Sequence, residues 1–142
     1  IICLSYAQVN AEEASDNSLD RFLSEKRVLI EEAIIFTEQE ENAFWPLYDN
    51  YMNELVKRYH RRTALVKIIL KEKGAISENQ AGIVIDEHFE LVSERLKSKK
   101  EMLTQLRKRN IPETKILKFF QIEEDMQASF FYLLAAGMAL QK

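Results

Sequence analysis

The sequence has very little of the residues that build turns, disulfides and metal centres. Glycine and proline together number five in 142 residues, where average usage predicts about 17. Because β-sandwiches and doubly wound α/β folds need more turn residues than this, we expect long helices joined by few connections. The single cysteine, Cys3, excludes an internal disulfide and a cysteine-based zinc site.

Charge is nearly balanced overall and unevenly spread along the chain. The net charge of −3 argues against a general nucleic-acid binder. Residues 54–118 carry 16 Lys and Arg against 9 Asp and Glu, whereas the rest of the chain is acidic. A basic middle between acidic ends favours one of three arrangements: pairing within a bundle, a positive surface for a partner, or ordinary solvated helix faces.

Motifs of the common catalytic and cofactor sites are also missing. The sequence contains no Glu-x-x-His, no Gly-rich phosphate loop, no His-Glu-x-x-His and no nucleophile elbow. We therefore expect a protein that is not an enzyme and that carries no cofactor. Because no apolar stretch reaches 18 residues, we expect no membrane span either.

The first residues are typical of export. Ile1–Ala7 is typical of the tail of a secretory signal peptide, with Ser5 and Ala7 at the small-residue cleavage positions. Residues 8–18 are polar, acidic and aperiodic, which predicts a disordered leader. We expect a single helical domain over residues 19–142.

Helix starts can be placed from capping chemistry. Thr37 with Glu40, and Ser77 with Gln80, have the spacing of capping boxes, and Pro112 suits a first helical turn. The predicted fold is all-α: an elongated four-helix antiparallel hairpin or bundle with long, curved helices and a short first helix. The helix after Ser77 places six apolar residues on one predicted face: Ile85, Phe89, Val92, Leu96, Leu103 and Leu106.

A proline interrupts the long second helix. Pro46 removes a backbone donor and crowds the carbonyl of Asn42, which predicts a kink. We interpret Phe44, Trp45 and Tyr48 as part of this kink, and we expect Trp45 and Tyr48 to pack against the short first helix and secure the bend.

The last helix is apolar on nearly every side from Met126 to Leu140. A helix of this kind must be covered all round, either by the core or by a second chain. The excess apolar side chains predict a homodimer interface: Phe130, Phe131, Leu133, Leu134 and Met138.

The two histidines allow one metal hypothesis. A hairpin that turns near residues 75–76 brings His60 and His88 within about 4.5 Å along the helix axis, with Glu87 nearby. Two histidines and a carboxylate can bind a transition metal. Unrelated surface or packing histidines remain the favoured interpretation, so we expect no metal site.

Three segments carry a family resemblance. Residues 36–51 contain the string Phe-Trp-Pro-Leu-Tyr after the first capping box, and residues 76–80 and 111–123 have the pattern of two further helix starts. Together they resemble the periplasmic LTxxQ-motif proteins, the Spy/CpxP-like group, with Phe36 and Glu40 in place of the Leu and Gln of the first box. Lys115 likewise replaces a Gln in the third.

The resemblance implies a periplasmic, ATP-independent chaperone-like protein of a Gram-negative bacterium that captures partly folded proteins in envelope stress. The alternatives are a regulatory or metal-responsive accessory that binds the periplasmic domain of a sensor protein, and a purely structural dimer. We predict client contacts on the second helix, where basic and apolar residues adjoin: Tyr51, Leu55, Lys57, Arg58, Arg61 and Arg62.

Overall fold

Four α-helices make up the chain in the computed structural model: α1 (Ile2–Ala33), α2 (Glu38–Lys71), α3 (Glu78–Lys108) and α4 (Glu113–Leu140). The structure describes the backbone of residues 2–71 and 75–140, and the side chains of residues 17–69, 71 and 75–128. Within these ranges there is no β-strand. The predicted all-α fold class is confirmed.

The helices pack as two pairs. Residues 36–112 form one compact unit in which α2 packs on α3, and residues 1–35 with 113–142 form a second unit in which α1 packs on α4. The predicted single domain over residues 19–142 therefore contains two compact units. No helix in the described residues is long and apolar enough to cross a membrane.

Reciprocal hydrogen bonds begin α2 and α3. The Glu40 N–H donates to Thr37 Oγ1 at 3.2 Å, and the Thr37 N–H donates to a Glu40 carboxylate oxygen at 3.0 Å. Ser77 and Gln80 exchange the same two bonds, each at 3.2 Å. Each box satisfies backbone donors that a helix start leaves without an intrahelical partner. Pro112 immediately precedes the first residue of α4.

A left-handed residue ends α3. Asn110 has φ of 57°, a conformation in which Asn is tolerated better than most residues. The Asn110 N–H donates to the Arg107 carbonyl, and the Ile111 N–H donates to the Leu106 carbonyl. These two bonds form a Schellman motif, and the buried side chains of Leu106 and Ile111 supply its apolar contact.

The first helix differs from its prediction. It spans Ile2–Ala33, so it is not short, and it includes residues 8–18, which composition marks as a disordered leader. This stretch contains the helix-favouring run Ala11-Glu12-Glu13-Ala14, and it lacks the two strongest helix breakers, Gly and Pro. The side chains of residues 1–16, and with them the signal-peptide prediction, lie outside the described residues.

A buried ion pair lies in the α1–α4 unit. Lys26 Nζ on α1 contacts Glu123 Oε2 on α4, and both side chains are fully buried. The Lys26 ammonium also lies 5.5 Å from the centre of the Phe22 ring, within range of a cation–π contact. The surrounding core of this unit is apolar: Leu19, Phe22, Ile30, Ile116 and Phe119.

Aromatic rings cluster near the start of the α2–α3 unit. The Phe44 ring stacks on Phe36 with centroids 4.5 Å apart, and Trp45 meets Tyr48 edge to face at 5.3 Å. Helix α2 continues through Pro46, which is exposed. Phe44, Trp45 and Tyr48 contact one another as a connected cluster within α2, and the expected packing of Trp45 and Tyr48 against the first helix stays a prediction.

Candidate functional site

The basic surface predicted on α2 is partly used for packing. Tyr51 is buried and Leu55 is half-buried, so neither offers an open apolar patch. Lys57 is exposed and donates to Glu54 on the same helix at 2.8 Å, and this contact lowers the pKa of Glu54 below its usual value. Arg58 is half-buried.

Arg61 joins α2 to α3. Its Nε donates to Glu87 Oε1 and its Nη1 donates to Glu94 Oε2, each at 2.7 Å. These bonds raise the pKa of Arg61 above its usual value, so the guanidinium stays charged at any physiological pH. Because Arg61 is held by two carboxylates, it stabilises the hairpin and is not free to bind a partner.

Arg62 faces a like charge across the hairpin. Partial burial and the nearby guanidinium of Arg95 on α3 lower the pKa of Arg62 from its usual value. Two arginines from neighbouring helices raise the positive potential along this side of the α2–α3 unit.

Helix α3 has two separate apolar faces. Leu91, Met102 and Leu106 are buried on the side that packs in the hairpin. The other face, which we call the α3 stripe, lies about 130° around the helix from Leu91 at 100° per residue. The stripe consists of four exposed side chains: Ile85, Phe89, Val92 and Leu96.

The six apolar residues predicted to share one face of α3 therefore differ in their burial. Leu106 is buried with the hairpin and Leu103 is half-buried, but the four stripe residues are exposed, with Phe89 66% exposed. The sequence shows the periodicity of the stripe and gives no indication of which face packs. The sequence also contains a second apolar line on α3, through Leu91 and Met102. Because the hairpin buries only one such line, two lines on one helix indicate that the other stays exposed.

Lysines follow the stripe toward the end of α3. Lys97 and Lys100 are exposed, and Lys99 is half-buried. A contiguous exposed apolar patch rimmed by charge is typical of a protein-binding surface. The client contacts predicted on α2 stay a prediction; α3 is where the described residues combine a row of exposed apolar side chains with exposed lysines.

The two histidines do not belong to a group of metal-binding side chains in the part of the chain that the structure describes. His60 and His88 are both exposed, and their rings contact the neighbouring rings of Tyr59 and Phe89. Glu87, the carboxylate considered as a third ligand, accepts from Arg61. Within the described ranges, no three His, Cys, Asp or Glu side chains are grouped so that they could hold a metal ion.

The residues of the predicted α4 dimer interface, Phe130 to Met138, have side chains outside the described residues. Comparison of the chain with protein-family models, with curated proteins and with solved structures finds no match.

Proposed function

We propose that this protein is an ATP-independent, chaperone-like binding protein of the periplasm that captures partly folded proteins on the α3 stripe. The proposal rests on the family resemblance of residues 36–51, 76–80 and 111–123 and on one structural observation. That observation is the row of exposed apolar side chains from Ile85 to Leu96 beside exposed lysines.

Capture takes place in two steps. The lysines beside the stripe attract acidic segments of a client from a distance set by the ionic strength. Phe89 and its apolar neighbours then contact client surface that is exposed before folding is complete, which removes that surface from water. Four side chains of this size give weak binding, so a client can dissociate and fold.

Helix α3 fits this role better than α2. On α2, Tyr51 is buried and Arg61 is held in two ion pairs. On α3, the stripe is not needed for the hairpin, because Leu91, Met102 and Leu106 provide the buried contacts of that helix. A client can therefore cover the stripe without disturbing the fold.

Aggregation of a denatured protein, measured by light scattering, tests the proposal. We expect wild-type protein to suppress scattering, and the double change Ile85→Ser and Phe89→Ser to lose most of this activity. Serine has a helix propensity similar to those of Ile and Phe, so α3 should remain folded. The matched control is Ile35→Ser, which removes an 85%-exposed apolar side chain elsewhere in the chain.

Equal suppression by the stripe variant and wild type contradicts the α3 site. Absence of suppression by wild-type protein contradicts the chaperone function itself. If the protein then retains a single folded partner from an envelope extract, and the stripe variant does not, the regulatory alternative replaces the chaperone proposal.

A further inference from the structure

Charged side chains are sorted by sign around α3. At about 100° per residue, four cations lie within about 90° of the centre line of the α3 stripe: Arg95, Lys99, Lys100 and Arg107. Between Glu87 and Lys108, a range that the structure describes throughout, every carboxylate lies about 130–170° from that line. Of the earlier carboxylates, Asp86 lies at the border of the stripe side and Glu78 lies in the first turn. From Glu87 onward, the stripe therefore shares its side of the helix with positive charge alone.

The charges on the two sides of α3 have different surroundings. On the far side, Glu87 and Glu94 accept hydrogen bonds from Arg61, so these carboxylates are compensated within the hairpin. On the stripe side, α2 adds a further cation. Burial, and after it the like charge of Arg95, lowers the pKa of Arg62. Two guanidiniums from neighbouring helices thus lie near each other beside the stripe, an arrangement that a bound oxyanion stabilises.

This sorting is typical of a helix that lies in the plane of a membrane surface. Such a helix buries its apolar side chains about 5–10 Å into the boundary between headgroups and acyl chains, and its cations bind anionic lipids. Lys and Arg suit the edge of the apolar face, because their long apolar stems allow the charged ends to reach the phosphates. An anionic bilayer is negative over its whole area, so it repels any carboxylate on the same side of the helix. The segregation of carboxylates on α3 fits this extended negative surface.

We propose that the stripe side of α3 binds the surface of an anionic phospholipid bilayer. Phe89 and its apolar neighbours enter the headgroup region, and the four cations beside the stripe contact lipid phosphates. The helix lies along the surface and does not cross it. Because the apolar area is small and the cations are partly screened by salt, binding is weak and reversible. The inference goes beyond the proposed function and does not depend on it.

Flotation of the full-length chain with lipid vesicles tests the binding. At about 50 mM salt, where the Debye length is roughly 14 Å, we expect binding to phosphatidylcholine vesicles that contain about 30% phosphatidylglycerol. We expect little binding to phosphatidylcholine alone. The double change Lys99→Gln and Lys100→Gln should weaken binding about fivefold for each cation removed. Equal binding to neutral and anionic vesicles, or no binding to either, overturns the proposal.

A variant with the same net charge provides the matched control. Lys97 and Lys108 are exposed and lie on the far side of α3, about 110° and 130° from the centre line of the stripe. The double change Lys97→Gln and Lys108→Gln should therefore bind anionic vesicles nearly as wild type does, and far-UV circular dichroism verifies that both variants are folded. Equal losses in the two variants show that net charge alone drives binding, which overturns the assignment to the stripe side.

A fluorescent reporter tests the position of the stripe. In Phe89→Trp protein, the new tryptophan should shift its emission to shorter wavelength on anionic vesicles, and phosphatidylglycerol with brominated acyl chains should quench it. Wild-type protein, whose only tryptophan is Trp45 on α2, provides the background spectrum. Emission from bound Phe89→Trp protein that differs from the background neither in shift nor in quenching overturns the contact between stripe and lipid.

A stripe that is covered by lipid is closed to a client, and this exclusion rests on the proposed function. Saturating anionic vesicles should lower the suppression of aggregation of an acidic client, whereas phosphatidylcholine vesicles should not. Undiminished suppression overturns the use of one face for both. If wild-type protein suppresses no aggregation but binds anionic vesicles through position 89, the proposed function fails and the lipid binding stands.

Discussion

Phe89 and Leu91 lie two positions apart on α3 and face opposite environments. The Phe89 side chain is 66% exposed, whereas Leu91 is 8% exposed within the α2–α3 hairpin. Two positions along an α-helix correspond to about 200° of rotation. One face of the helix can therefore pack in the core while the other is exposed to solvent. The proposed division of α3 into a face that folds and a face that binds depends on that separation.

Truncation of these two residues should therefore have different consequences. Leu91→Ala should lower the free energy of unfolding by about 2–3 kcal/mol, because it removes buried methyl groups and leaves a cavity. Phe89→Ala should change it by no more than about 0.5 kcal/mol. Urea unfolding followed by the fluorescence of Trp45, the only tryptophan, reports on this hairpin. Equal effects of the two changes contradict the assignment of faces.

The ion pairs of Arg61 should contribute measurably to the hairpin. Arg61→Gln should lower the free energy of unfolding by about 1 kcal/mol, a value limited by solvent screening because the side chain is 39% exposed. Lys57→Gln is the matched control: its pair with Glu54 is more exposed and lies within one helix. We expect the control to change stability by less than about 0.5 kcal/mol in the same urea titration. An effect of Arg61→Gln no larger than the control's shows that the contacts across the hairpin add nothing.

The buried pair of Lys26 and Glu123 should behave as a unit. Lys26→Met alone leaves a carboxylate buried without its cation, which should cost about 3–5 kcal/mol. The double change Lys26→Met and Glu123→Leu should recover most of this loss, because both charges are then replaced by apolar side chains. Urea unfolding followed by far-UV circular dichroism measures the cycle. Additive losses in the double variant mean that the two side chains do not interact.

Client association should depend on salt through the lysines of α3. Raising salt from about 50 to 500 mM shortens the Debye length from roughly 14 to 4 Å, which removes long-range attraction. Stopped-flow association with an acidic client should slow, and the triple change of Lys97, Lys99 and Lys100 to Gln should produce the same slowing at low salt. Because apolar contacts survive high salt, binding should weaken without disappearing. A triple variant that associates as fast as wild type at low salt excludes steering by these lysines.

The hydrogen bonds that begin the helices were predictable from the sequence. Which apolar face of α3 is buried and which is exposed was not predictable. The capping boxes at Thr37 and Ser77 depend on residues three positions apart, so the sequence contains all the information they need. The fold class followed from scarce glycine and proline. The left-handed Asn110 gave only a weak signal, since Asn occurs in many other positions.

The candidate site required tertiary structure. Tyr51 and Leu55 share the periodicity of a binding face, but they are covered to different extents in the structure, and Phe89 is left open. Periodicity identifies the residues that share a face, while burial depends on which helices become neighbours. Arg61 on α2 donates to Glu87 and Glu94 on α3. Its contribution to the hairpin therefore became evident only when the structure brought the two helices together.

The most direct test is to ask which side chain contacts a client. A photoreactive benzoylphenylalanine is placed at Phe89 in one variant and at exposed His60 on α2 in another, and each is irradiated with a chemically denatured acidic protein just diluted into buffer. We expect strong cross-linking to the client from position 89 and little from position 60. Cross-linking from position 60 alone, or equally from both, would contradict the assignment of client capture to the α3 stripe.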